Sequence, residues 1–127
     1  PDCTASKNVN RIVLGPYEID AWYFSPYPEQ YTGRPLLFVC EYTLKYMKKF
    51  KVYQEHCASC TVRGPPGVEI YRAPAPTDRL PDVPGLPRAE DLTVFEVDGA
   101  DHKVYCQCLC LCAKLFIEDK TLFFDVA

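Results

Sequence analysis

Apolar residues in this chain come in short alternating runs cut by proline and glycine, a pattern of brief strands rather than long helices. Residues 8–14 (Asn-Val-Asn-Arg-Ile-Val-Leu) read as a β-branched strand stopped by Gly15-Pro16. Residues 17–24 read as a second strand, with Ile19, Ala21 and Tyr23 on one face and Glu18, Asp20, Trp22 and Phe24 on the other. Trp22 is expected to pack in the core. Ser25-Pro-Tyr-Pro28 ends this strand, because proline has no N–H to give a ladder. Pro35-Leu-Leu-Phe-Val-Cys40 predicts a third strand, leading into a basic, aromatic stretch over 43–51. Residues 51–60 predict a helix, on which His56 and Cys60, four apart, point from one face.

Arg63-Gly-Pro-Pro-Gly67 is a turn before a strand over 68–72, and a further strand is expected over 92–97. Between them, residues 73–93 contain five prolines and mixed charge, and are read as a mobile surface loop. Residues 104–119 are ambiguous: the cysteines alternate, yet Leu109, Cys112, Ala113 and Phe116 recur at helical spacing, and the length favours a helix. Residues 120–126 predict a final strand.

Composition narrows the class. At 127 residues the chain is one domain or part of one, and an apolar content of 48% can build a core. A net charge of −3 gives no overall basic footprint for nucleic acid. No apolar run reaches membrane-spanning length and no signal segment opens the chain, so neither a membrane nor a secretory route is supported. Eight cysteines in a short secreted chain would suggest a disulfide framework. Here Cys106, Cys108, Cys110 and Cys112 alternate too closely for many bridges, and Cys40, His56 and Cys60 have metal-site spacing. Free thiols in a reducing compartment fit better.

The stretch Tyr17-Glu-Ile-Asp-Ala-Trp-Tyr-Phe-Ser-Pro-Tyr-Pro28 resembles the opening of the acetyltransferase domain of MYST-family histone acetyltransferases, and looks closest to the males-absent-on-the-first branch. Further blocks agree in order: Phe38-Val-Cys-Glu-Tyr42, Leu44-Lys-Tyr-Met-Lys48, Glu69-Ile-Tyr-Arg72, Val94-Phe-Glu-Val-Asp-Gly99, Lys103-Val-Tyr-Cys-Gln107 and Lys120-Thr-Leu-Phe-Phe-Asp-Val126. The resemblance covers residues 8–126. It implies an α+β fold: a small zinc-finger-like subdomain over 36–62, plus the first strands and one helix of an acyl-CoA N-acyltransferase-type domain, truncated. Residues 73–93 then look like a proline-rich insertion between two hairpin strands.

The family's zinc-finger pattern is C-x-x-C, twelve residues, then H-x-x-x-C. This chain keeps the frame as Cys40-Glu-Tyr-Thr43, twelve residues, then His56-Cys-Ala-Ser-Cys60. Thr43 replaces the second ligand, and a neutral hydroxyl is a poor zinc donor beside thiolate or imidazole. Three arrangements are open: weakened zinc binding by Cys40, His56 and Cys60; a zinc-free finger held by packing; or recruitment of Cys57, which points about 100° away from its neighbour on a helix. Zinc is therefore expected to be weak or absent.

The resemblance makes Lys120 the candidate for autoacetylation, but Asp119 stands where the family commonly has histidine. A neighbouring carboxylate favours the charged amine, a poorer acyl acceptor. The family's catalytic cysteine, its glutamate base and its Q-x-x-G-x-G acetyl-CoA loop match nothing in residues 1–127. The four clustered cysteines are expected to be small buried hydrophobes. The complete enzyme implied by the resemblance is a nuclear histone lysine acetyltransferase using acetyl-CoA, meeting histone tails and the nucleosome within a multisubunit chromatin complex and regulating transcription. This chain alone is expected to be inactive, with its final strand uncovered and prone to self-association. The rival reading is a non-catalytic, degenerate zinc-finger module that binds chromatin or a complex partner. Its candidate surface is Lys45, Lys48, Lys49 and Lys51 with Tyr46 and Tyr53.

Overall fold

The computed structural model describes residues 6–75 and 90–122. Strand β1 (Arg11–Leu14) pairs antiparallel with β2 (Tyr17–Asp20) through the tight turn at Gly15-Pro16. It pairs parallel with β3 (Leu37–Val39), which in turn pairs antiparallel with β4 (Tyr46–Met47). The sheet order is thus β2-β1-β3-β4. Helix α1 (Phe50–Ser59) follows β4, and a separate hairpin is made by β5 (Val68–Ala73) and β6 (Leu92–Glu96). A short 3-10 turn at Glu29–Tyr31 links β2 to β3, and helix α2 (Lys103–Lys114) is the last described element.

β3 is buried along its whole length, and the strand period of two divides its side chains between two clusters. Leu37 and Val39 join Val9, Ile12, Ala21 and Tyr27 against Leu111 and Leu115 of α2 and its C-cap. Phe38 points the other way, with Cys40 and Met47, toward Tyr53 of α1. The ring of Phe38 stacks on Tyr53 at 5.3 Å. The single strand therefore carries α2 on one face and α1 on the other.

The ambiguous stretch 104–119 resolves as a helix because burial follows the 3.6 period: Cys108, Leu111 and Leu115 are inside, while Val104 and Leu109 are exposed. The C-terminal end of α2 is stitched to residues 22–25. Helix ends leave carbonyls without intrahelical partners. Here the fully buried Ser25 hydroxyl donates to the Leu111 carbonyl at 2.7 Å. The amides of Trp22 and Tyr23 both donate to the Leu115 carbonyl, and Lys114 Nζ donates to the Phe24 carbonyl at 2.7 Å. Asn8 holds Ser25 from the other side, its amide donating to the Ser25 carbonyl and its Oδ1 accepting the Ser25 N–H.

These bonds explain why β2 stops at Asp20, short of the 17–24 expected from the pattern. The backbone leaves the ladder to cap α2. They also correct the expectation for Trp22, which is 66% exposed and meets Phe116 edge-on at 6.4 Å. The alternation had already placed Trp22 with Glu18 and Asp20, and that polar face is what the structure exposes. Arg11 bridges Glu18 and Asp20 across β1 and β2, an exposed pairing that adds little to stability.

The β5–β6 hairpin carries exposed apolar side chains, among them Val68, Ile70 and Leu92. Gly67 enters it with φ +100°, and a Cβ there would run into the Glu96 carbonyl oxygen. The far end is closed by the Ala73–Leu92 pair and by the Ala75 amide donating to Asp91 at 3.0 Å. Most of the proline-rich stretch, residues 76–89, lies outside the described residues. So do residues 123–127 of the expected final strand; its described part, 120–122, has no strand pairing.

Two outcomes follow for stability. Ser25→Ala leaves the Leu111 carbonyl without its partner in a buried place, and should lower unfolding free energy by about 1–3 kcal/mol in denaturant titration. A cost near zero would show that the clamp is not held by this bond. Replacing residues 76–89 with about five residues should change stability by less than about 1 kcal/mol, since loop-closure entropy varies slowly with length. A loss of several kcal/mol would mean that the stretch packs on the domain.

Candidate metal centre

The turn after β3 brings the first candidate ligand into place. The Cys40 N–H donates to the Lys45 carbonyl at 2.9 Å, and the Leu44 N–H returns to the Cys40 carbonyl at 2.8 Å. Leu44 takes a left-handed conformation with φ 62°, a costly state for a branched side chain. Its burial against the α2-side cluster holds it there. The Thr43 N–H donates to Cys40 Sγ at 3.5 Å. Across the site, α1 supplies His56 from its last turn and Cys60 from its C-cap, whose N–H donates to the His56 carbonyl.

The folded chain thus brings Cys40, His56 and Cys60 together from a strand end and a helix end. Their donor atoms lie within 4.8 Å of one another. A tetrahedral zinc with Zn–S of about 2.3 Å wants donor separations of about 3.5–4 Å, so a small closure would seat the ion. His56 Nε2 is buried with no hydrogen-bond partner, a state that costs free energy unless something else satisfies it. Burial pushes the Cys40 thiol up. Hydrogen bonds from the Thr43 side chain and amide, the Tyr42 amide and Cys60 outweigh that and hold it below its ordinary value. Two sulfurs and an orphaned imidazole make a donor set that fits zinc.

Cys57 does not join this group. It is exposed, and burial together with the neighbouring Cys57 pushes the Tyr53 hydroxyl up to about 12. Cys57 lines a small pocket of about 220 Å³ with Cys40, Cys60 and Arg63. The Arg63 guanidinium lies over the Tyr42 ring at 4.9 Å and donates to the Cys60 and Val62 carbonyls, bracing the chain just beyond the helix.

The basic–aromatic surface looks different once folded. Tyr53 is stacked inside on Phe38, and Tyr46 meets Tyr27 and Tyr31 edge-on at 4.9 and 4.8 Å. Both rings are committed to packing, so the surface presents lysines rather than alternating lysines and aromatics. Lys48 lies 5.8 Å from the Tyr31 ring centroid. Of the clustered cysteines, Cys108 is buried, and burial raises its thiol and that of half-buried Cys112 above their ordinary values. Cys106 and Cys110 are only half-buried. Lys120 is half-buried just past α2, its amide reaching the Ile117 carbonyl at 3.3 Å, beside exposed Asp119.

A feature that the sequence did not signal is a groove of about 1040 Å³ between the finger and the start of α2. Thr43, Lys45 and His56 line one wall, and His102 and Tyr105 the other. Its walls lie more than thirty residues apart in sequence, so no local pattern could mark it. Among the described residues, no helix is long and apolar enough to cross a membrane.

Residues 6–60 match the MYST family zinc finger domain, and residues 64–127 match the MOZ/SAS family. Histone acetyltransferase of the MYST family 2 of Arabidopsis thaliana is 44% identical over 123 residues, covering 97% of this chain and 24% of the relative. Histone acetyltransferase MOF of Drosophila melanogaster is 42% identical over 97% of this chain and 13% of its own length. Histone acetyltransferase ESA1 of Saccharomyces cerevisiae is 39% identical over 94% of this chain and 23% of its own. The chain thus spans at most about a quarter of the length of these relatives. Identities this close to one another do not select a branch.

Thr43→Cys should tighten zinc binding at least about tenfold, or about 1.4 kcal/mol, by completing a four-donor shell. Chelator competition with metal analysis by atomic emission reads this directly. Equal affinity in the two proteins would mean that Thr43 is not at the ligand position.

Proposed function

This chain belongs to the MYST family, and from that premise we propose that it is the N-terminal part of a histone lysine acetyltransferase domain. The observation that carries the reading is the agreement of two consecutive family models in chain order, together covering residues 6–60 and 64–127. The complete activity would transfer acetyl from acetyl-CoA to a histone-tail lysine, in the nucleus, within a chromatin complex that regulates transcription.

The residues of this chain serve that activity as scaffold. No motif within residues 1–127 supplies a pyrophosphate cradle or a paired nucleophile and base. What the chain supplies is the central strand β3 with a helix on each side, and the finger that ends it. Cys40, His56 and Cys60 would hold a zinc ion, with Thr43 beside them at the fourth position of the frame. When bound, such an ion supplies cross-linking of β3 to α1, a folding contribution rather than a chemical step. Lys120 is the candidate for autoacetylation.

The second reading, a non-catalytic finger module that contacts chromatin or a partner, rests on the lysines at 45, 48, 49 and 51. The committed packing of Tyr46 and Tyr53 weakens it for nucleic acid, because no ring among them is left to stack on a base.

Incubation of residues 1–127 with labelled acetyl-CoA and histone-tail peptides should give only background transfer. A longer product of the same gene that contains a Q-x-x-G-x-G segment should acetylate the peptides. Robust turnover by residues 1–127 would relocate the active site into this chain. No transfer by the longer product would favour the binding-module reading.

A further inference from the structure

The candidate metal centre is approached from two sides that differ in chemistry. Cys40 and Cys60 line the small pocket that also holds Cys57 and Arg63. Thr43 and His56 line the large groove instead. The missing fourth donor therefore lies on the groove side, away from Cys57. Thr43 cannot replace that donor well: its hydroxyl is neutral, and Oγ1 already accepts the Lys45 N–H at 3.3 Å. Cys57 lines the small pocket with Tyr53 and is absent from the groove.

Two thiolates and one imidazole would leave a divalent ion electrically neutral and one donor short. Three protein ligands and an exchangeable position describe open zinc sites, not closed structural ones. The groove, about 1040 Å³, is roomy enough for a small molecule, and Lys45 places a cation on its wall. A soft anionic donor matches the other ligands best and restores the charge of a three-sulfur, one-nitrogen shell.

We propose that Cys40, His56 and Cys60 form a metal centre whose fourth position, opened by Thr43 and reached from the groove, takes an exogenous low-molecular-weight thiolate. The inference rests on the zinc-holding finger described above and adds a ligand to it. Ligand exchange would be coupled to the finger: a thiol that binds the ion would tighten the metal, and loss of the thiol would loosen it.

The test uses the 127-residue chain loaded with Co(II) as a spectroscopic stand-in for zinc. Metal content is first measured by atomic emission. 2-Mercaptoethanol is then titrated while the sulfur-to-cobalt charge-transfer absorption is followed. The parent should start at a two-thiolate intensity and rise saturably toward the three-to-two ratio expected for a third Co–S bond. Thr43→Cys, checked for folding by circular dichroism, should start at the higher intensity and not respond. Cys57→Ser should behave as the parent. A parent that binds Co(II) but does not respond overturns the exogenous-thiolate proposal alone. A parent that starts at three thiolates and loses one in Cys57→Ser overturns it in favour of the internal cysteine. A chain that binds no Co(II) or zinc overturns the zinc-holding finger and this proposal together.

Discussion

The docking of α2 by its C-terminal carbonyls onto residues 22–25 is the constraint on which the rest of the architecture hangs. α2 is remote in sequence from the sheet, and its buried side chains alone would let it slide. Carbonyls at a helix end must find donors wherever water is excluded. Ser25, Trp22 and Tyr23 supply them, and Asn8 and Lys114 fix the segment that carries them. Leu115, fully buried, then seals the cluster containing Ile12, Leu37 and Val39. Polar bonds set the position, and apolar burial supplies most of the stabilisation.

With α2 placed on one face, β3 becomes the spine of the described fold. Its three residues divide between two clusters, and its end delivers Cys40 at a fixed height above α1. The stack of Phe38 on Tyr53 sets the helix against the strand. That contact brings His56 and Cys60, about one and two turns further along, opposite Cys40. Packing of α1 on β3 thus brings the three donors together. The left-handed Leu44 shows that the turn carries some backbone strain, offset by burial of the same side chain.

Aromatic and aliphatic contacts hold the helix to the strand. The orphaned His56 Nε2 marks what packing does not satisfy. The groove on the Thr43 side gives this altered finger a wall shared with α2, joining two segments matched by two different family models.

The sequence by itself determined the family, the approximate place of both helices and of every described strand except β4, and the spacing of Cys40, His56 and Cys60. Those properties are local or periodic: a strand period of two, a helical period of 3.6, and a fixed ligand frame. Tertiary structure decided the rest. It resolved the cysteine-rich stretch as a helix, because only burial against the sheet distinguishes its alternation from its helical period. It ended β2 early and turned Trp22 outward, because the Trp22 and Tyr23 amides are drawn to the end of α2, about ninety residues away in sequence. It took Tyr46 and Tyr53 out of the lysine-rich surface, since their rings pack on partners that no window around them contains. It also put Thr43 and Cys57 in two different cavities beside the donor cluster. Each of these depends on contacts between distant segments, and such contacts exist only once the chain has chosen its packing.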